Sequence, residues 1–403
     1  MFNSNFGVNV IGHVTGEFGL GEGVRGALKA MESASIPFVI QDLKEESQRS
    51  LDLTYSNFSE KYPYRINYIH TNPHQSILQN ISPECFKSGY NIGFWAWELQ
   101  TFPDFWLGAF EKFDEVWTPS SYTAECISAV SPLPVMKMPH PIDIPPNTLS
   151  RSDLNLPKYK FIFLLMFDMG SGFERKNPLA AIQAFQEVFS KDSKDVVLII
   201  KFRSHPLYQD HENQLLAQIE GWSSIQLIEG HLTKEEVNGL VDNCDCYVSL
   251  HRAEGFGLTM ADAMFYGKPV IATGYSANME FMNVGNSFLV KYDLVATTEA
   301  YGLYPKGSIW ADPDIDHAAS LMEYVFDNYL QAQQVGATAA KEIRSLCSPQ
   351  AIGTKIRHRL EYITRTIEEK NWYECQAQAW KQVALQANVE LERAKHHIQQ
   401  DRT

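Results

Sequence analysis

The chain has 403 residues, 44% of them hydrophobic and 12% aromatic. That is ample for sizeable cores, and the length makes two domains the expectation. A formal net charge of −14, from 48 acidic against 34 basic side chains, argues against a general nucleic-acid binder but leaves room for a local basic pocket.

No stretch approaches the roughly 18 uninterrupted apolar residues of a membrane-crossing helix, and the start, Met-Phe-Asn-Ser-Asn-Phe, lacks a basic, then apolar, leader pattern. The six cysteines, at 85, 126, 244, 246, 347 and 375, are scattered as in a reducing compartment, not paired as a disulfide framework. A cytoplasmic protein, with docking at a membrane surface as the only membrane role, is therefore expected. Cys244 and Cys246 open an apolar run and are read as core, since no second Cys or His pair has zinc-like spacing.

In chain order, Val8–Ile11 reads as a first strand, and a glycine-rich loop leads to a helix over about 21–33. Phe38–Ile40, Ile66–Ile69, Tyr90–Trp95 and Glu115–Trp117 read as further strands. Pro119-Ser-Ser121 has the caps of a helix start. Alternating strands and helices imply a parallel sheet covered on both faces. Residues 132–157 carry seven prolines and read as a hinge.

The pattern then restarts. Phe161–Met166 and Val196–Ile200 are continuous buried-type strands, and Ile225–Ile228, Cys246–Leu250 and Val270–Ala272 extend the series. The expected architecture is two Rossmann-like domains facing a cleft, 1–150 and 151–348, then helices over 349–403 whose first part packs back across the domains. Trp380, Ala384, Ala387, Leu391, Ala394 and Ile398 lie on a heptad-like seam, which allows a homo-oligomer through this helix, a solvated helix, or a linker to further domains.

Three loops carry candidate chemistry. Glu254-Gly-Phe-Gly-Leu-Thr-Met-Ala-Asp262 joins an apolar strand to a helix, with carboxylates eight positions apart. Its glycines would let ligand oxygens reach bare N–H groups at the positive helix end, although such turns also occur in ordinary α/β loops. Gly16-Glu-Phe-Gly-Leu-Gly-Glu-Gly23 departs from the dinucleotide fingerprint, because Gly19, Gly21 and Gly23 are spaced by two. Nicotinamide binding is therefore disfavoured. Phe167-Asp-Met-Gly-Ser-Gly-Phe-Glu-Arg-Lys-Asn-Pro178 places Arg175 and Lys176 before a helix.

Glu254-Gly-Phe-Gly-Leu, the acid at 262 and Gly267-Lys-Pro-Val-Ile-Ala-Thr273 together resemble the signature of retaining glycosyltransferases of family 4, which have the GT-B fold. The family's usual second acid is Glu, and Asp262 is shorter by one methylene. The resemblance covers about 161–290, and the hinge segment Met138-Pro-His-Pro-Ile-Asp143 also looks family-like. It implies that Glu254 binds donor-sugar hydroxyls and that N–H groups over Gly255, Phe256, Gly257, Leu258 and Thr259 meet the β-phosphate. Asp262 would bind ribose. Lys176 fits the family's phosphate lysine, while its usual arginine position holds Ser171, so Arg175 or Lys201 would replace that charge. The loop at His231 and Leu232 would grip the base through its backbone, and Gly19 and Gly21 would face the diphosphate. For Arg175 and Lys201 the alternative is a solvated surface charge.

Gly93-Phe-Trp-Ala-Trp-Glu-Leu99 offers Trp95 and Trp97 as stacking faces beside Glu98, a candidate acceptor site, although core packing accounts for the rings nearly as well. Glu98, with Glu254 and Lys176, completes the expected catalytic set. His13, His70, Asn72 and His74 rank below Glu98. No Asp-x-Asp pair sits where a metal-dependent transferase would hold one, Asp312-Pro-Asp314 being in a late loop. The expected activity is retaining transfer of a hexose from a nucleotide-diphosphate sugar to a glycan, lipid-linked or protein acceptor, with no metal, cofactor or protein nucleophile. The rivals are an epimerase or phosphorylase on the same fold, or a non-catalytic sugar-binding scaffold.

Overall fold

The computed structural model describes residues 6–44, 49–87, 89–204 and 206–400. Among them, two six-stranded parallel sheets form two lobes. The first holds β1 Val8–Gly12, β2 Phe38–Asp42, β3 Ile66–His70, β4 Tyr90–Phe94, β5 Glu115–Thr118 and β6 Val135–Lys137, in the order β2-β1-β3-β4-β5-β6. The second holds β7 Phe161–Asp168, β8 Val196–Arg203, β9 Ile225–Glu229, β10 Cys246–Ser249, β11 Val270–Thr273 and β12 Phe288–Val290, in the order β12-β11-β10-β7-β8-β9. An antiparallel hairpin, β13 Tyr292–Ala296 and β14 Ile309–Pro313, follows.

The apolar strand runs explain this layering. Along β7, Phe163, Leu165 and Phe167 pack into one helix layer, while Ile162, Leu164 and Met166 pack into the other. Each such fully buried side chain contributes roughly 1.5–3 kcal/mol of burial. Two short strands run where the sequence gives no strand signal. β6 lies inside the proline-rich hinge, and β12 is three residues long.

The strand orders reverse between β1 and β3 in the first sheet and between β7 and β10 in the second. Ligands of doubly wound sheets sit beyond the carboxyl ends of strands at such points. The loops after β7 and β10 carry Arg175, Lys176 and Glu254.

After the second lobe, one helix, Pro349–Gln400, returns to the first. Ile352, Ile356, Leu360 and Ile363 pack with Ala27, Ala30 and Met31 of the helix Gly19–Ser33. Ser33 Oγ donates to Pro349 O at 2.8 Å, and Arg357 Nε to Ala34 O at 2.8 Å. Farther along, Trp372, Tyr373, Trp380 and Val383 are exposed. The remaining seam positions, Ala384, Ala387, Leu391, Ala394 and Ile398, lie outside the described side chains. Among the described residues no helix is long and apolar enough to cross a membrane. All six cysteines are free, and all but Cys375 are buried.

Candidate functional site

Glu254 lies in the loop after β10 and is buried. Its N–H donates to Ser276 Oγ at 2.8 Å. The carboxylate takes two cations from the loop after β7: Lys176 Nζ donates to Oε1, and Arg175 Nη1 lies 3.2 Å from the same oxygen. Burial alone would raise its pKa, but Lys176 and Arg175 outweigh that and hold it at about 2. Glu254 is therefore ionised throughout the neutral range.

Arg175 is itself buried. Nη1 donates to Ala253 O at 2.8 Å and Nη2 to Ser171 O at 2.7 Å. Burial opposes its charge, but Tyr304, Glu254 and Glu98 more than compensate and raise its pKa. Arg175 is thus an interior ion-network member, not a solvated surface charge. Lys176 is one-fifth exposed and keeps an open side. Lys201, paired in register with Met166, is half-buried away from this cluster, and burial pushes its pKa down against the pull of Asp168. The structure brings Arg175, not Lys201, to Glu254.

Gly257 has φ +98°, which favours glycine, and it caps the helix Leu258–Phe265 without a side chain. Met260 and Ala261 N–H donate to Gly257 O at 3.1 and 3.0 Å, so the first-turn N–H groups without a partner in the helix are those of Leu258 and Thr259. Phe256 packs on His140 and Phe281, and Gly255 O accepts from Ser120 Oγ at 3.1 Å, across the lobes. Leu258 and Thr259 are half-buried in the first turn.

Asp262, on the same helix, is half-buried beneath Lys234 and Glu22. Burial raises its pKa to about 6, Lys234 lowers it and Glu22 raises it. Because the folded pKa lies above the unfolded one, its stabilisation is complete below about pH 4 and is lost as the pH rises through about 6. Asp262→Asn is expected to flatten that part of the stability profile. Urea unfolding of both proteins between pH 4 and 7 checks this, and an unchanged slope refutes it.

Across the cleft, Gly19 opens the helix Gly19–Ser33, and a side chain there would meet open space. A Cβ at Gly21 would sit 2.0 Å from Gly16 O, so close loop packing already accounts for that glycine. His231 Nε2 lies 3.5 Å from Glu17 Oε1, and Lys234 Nζ lies 3.0 Å from Glu22 Oε2. His231 is thus an inter-lobe contact, and Leu232 packs beside it against the core.

Trp95 and Trp97 correct an expectation. Neither presents a ring to the cleft, because both indoles are fully buried. Trp95 packs among Phe102, Phe110 and Phe113; Trp97 donates to Thr101 O at 2.8 Å and meets Trp106. They belong to a core layer that includes Ala253, Tyr275, Tyr304 and Trp310 of the second lobe. Glu98 does reach the site: Oε2 accepts from Tyr304 Oη at 3.1 Å, and Oε1 lies 4.0 Å from Arg175 Nη2.

Sequence reading missed Ser276, His251, Asn177 and Tyr304. Ser276 (φ +72°) and Asn177 (φ +51°) hold left-handed backbone on either side of Glu254. Such strain costs about 1–3 kcal/mol each and clusters at functional sites. The Asn-Pro pair at a helix start was the available signal for Asn177. His251 is buried against Ser249 and Asn278, and burial lowers its pKa although Glu254 raises it. Among the described residues no group of three or more His, Cys, Asp or Glu is placed to hold a metal ion.

This pair of sheets with a returning helix is the GT-B fold, as solved structures confirm. A structure of HepE from Anabaena with UDP and glucose is 15% identical, covering 89% of this chain and 100% of that one, with a TM-score of 0.63. Sucrose-phosphate synthase from Thermosynechococcus elongatus is 15% identical, covering 90% and 100%, with a TM-score of 0.63. A glycosyltransferase from Rickettsia africae is 14% identical, covering 90% and 99%, with a TM-score of 0.62. At these identities the likeness is one of fold. No curated protein matches the chain in sequence. Residues 150–341, which contain the whole second sheet, match the family glycosyl transferases group 1. The chain thus has the GT-B fold, and its second lobe is similar to the group 1 glycosyl transferases.

Proposed function

We propose that the protein is a retaining, family 4-type glycosyltransferase moving a hexose from a nucleotide-diphosphate sugar to a hydroxyl of a glycan, lipid-linked or protein acceptor. The observation carrying this reading is the convergence of Arg175, Lys176 and Glu254 at the switch point of the second sheet, against the open first turn of the helix Leu258–Phe265. Negative charge grows on the β-phosphate as the sugar departs. Lys176, with its open side, and the helix N–H groups are placed to meet it, and Arg175 reinforces the field from within. These groups supply the charge neutralisation that the reaction needs from the chain.

Glu254, ionised and fixed by two cations, would accept hydrogen bonds from donor-sugar hydroxyls. Asp262 would do the same for ribose. The leaving phosphate oxygen takes the acceptor proton on the face of departure, so the configuration is kept without a protein nucleophile. Closure of the lobes excludes water that would hydrolyse the donor.

HepE was solved with UDP and glucose, so UDP-sugars are the first donors to test, followed by GDP- and ADP-sugars. Transfer should give a product whose anomeric configuration, read by NMR, equals that of the donor. Inversion would overturn the mechanism. Tight binding without turnover of any donor would favour the scaffold reading instead.

A further inference from the structure

We propose that Tyr304 is a positioning residue whose hydroxyl ties the second lobe to Glu98 of the first, beside Arg175, latching the cleft closed around the donor-phosphate site. The inference rests on the donor-site reading for its functional consequence, and on geometry alone for the latch.

Tyr304 sits at the tip of the β13–β14 arm. Tyr301 and Tyr304 exchange backbone hydrogen bonds of 2.9 and 3.0 Å, closing a tight turn with Gly302 at φ +57°. Thr297 and Ser308 brace the arm below it, and Ala311 N–H donates to Arg252 O at 2.9 Å. The arm is thereby anchored beside the strand loop that carries Glu254. Its tip crosses the cleft: Tyr304 is 8% exposed, and its ring centroid lies 5.5 Å from that of Trp97.

The ring alone would be an apolar contact. The hydroxyl adds a specific one, donating to Glu98 Oε2 at 3.1 Å, with the Arg175 charge acting on the same phenol. Glu98 Oε1 is 4.0 Å from Arg175 Nη2, too long for a direct strong pair. Tyr304 fills that gap. Arg175 is also held to Glu254, so the latch is continuous with the donor cluster. Opening the lobes must separate Glu98 from Tyr304 and leave Arg175 with one carboxylate fewer. Glu98 accordingly acts through Arg175 and Tyr304.

The test is Tyr304→Phe in the full chain, which keeps the ring and removes the hydroxyl. A hydrogen bond to a charged group is worth roughly ten- to hundredfold in an equilibrium. Amide exchange at residues 95–99 and 171–176 should therefore accelerate at least tenfold, and small-angle scattering without ligand should show a larger radius of gyration. With UDP-glucose, the ratio of donor hydrolysis to transfer should rise and kcat should fall about tenfold or more, with KM changing less. Tyr301→Phe, on the same turn but outside the latch, should match wild type throughout. Wild-type exchange and scattering in Tyr304→Phe would overturn the latch, whatever the donor. Opening of Tyr304→Phe in a protein that turns over no sugar nucleotide would sustain the latch and defeat the donor reading.

Discussion

Lys176→Ala should lower transfer by roughly 10²–10³-fold while the protein stays folded, the loss seen when one group stabilising transition-state charge is removed. Lys176 is the cluster member with an open side, and its loss leaves Glu254 paired to Arg175. Glu254→Gln should fail as severely for a different reason. The amide keeps the shape, but Arg175 and Lys176 then face each other without their shared counter-charge. Steady-state kinetics beside a thermal melt check both. Full activity in the two variants would remove the cluster from the mechanism. Because Glu254 is held at about 2, the wild-type pH–rate profile between 5 and 8 should show no step belonging to it.

Arg359→Ala should be the most destabilising single change on the returning helix, by roughly 3–5 kcal/mol, because it strands a buried carboxylate. Glu115 is completely buried on β5. It accepts from Trp117 Nε1 at 2.6 Å, Tyr90 Oη at 3.1 Å and Arg359 Nε at 2.9 Å, with a second contact from Arg359 Nη2. The hydrogen bond to Glu115 raises the pKa of Arg359 despite burial. Urea unfolding measures the loss. The double variant Arg359→Met with Glu115→Gln should recover much of it, since no unpaired charge remains. Equal instability of single and double variants would show that the charge pair is not the cause.

The strands were legible because a parallel sheet buried on both faces leaves continuous apolar runs, as β7 and β8 do. β6 left no such run among its prolines, and β13 is largely exposed, so neither carried that signal. The grouping of Lys176 with Glu254 followed from the motif spacing and its family resemblance. The sequence allows Arg175 either a surface or a site position, because burial is a property of the fold, not of the residue type. Trp95 and Trp97 were misread for the same reason: two aromatics beside an acid look alike in a sugar platform and in a core. Tyr304 meets Glu98 from 206 residues away, and no local pattern encodes such a contact.

The chain passes between the lobes twice, once through the hinge after β6 and once at the start of the returning helix. Ile142 N–H donates to Cys347 O at 2.7 Å, so the two passages are pinned side by side. A single tether would let the lobes twist and slide, whereas two adjacent ones act as a door hung on neighbouring pins. The motion such a pair of tethers opposes least is a swing about this point. A swing of this kind would bring Glu98, Glu22 and Glu17 of one lobe back to the same partners in the other, Arg175, Lys234 and His231, on each closure.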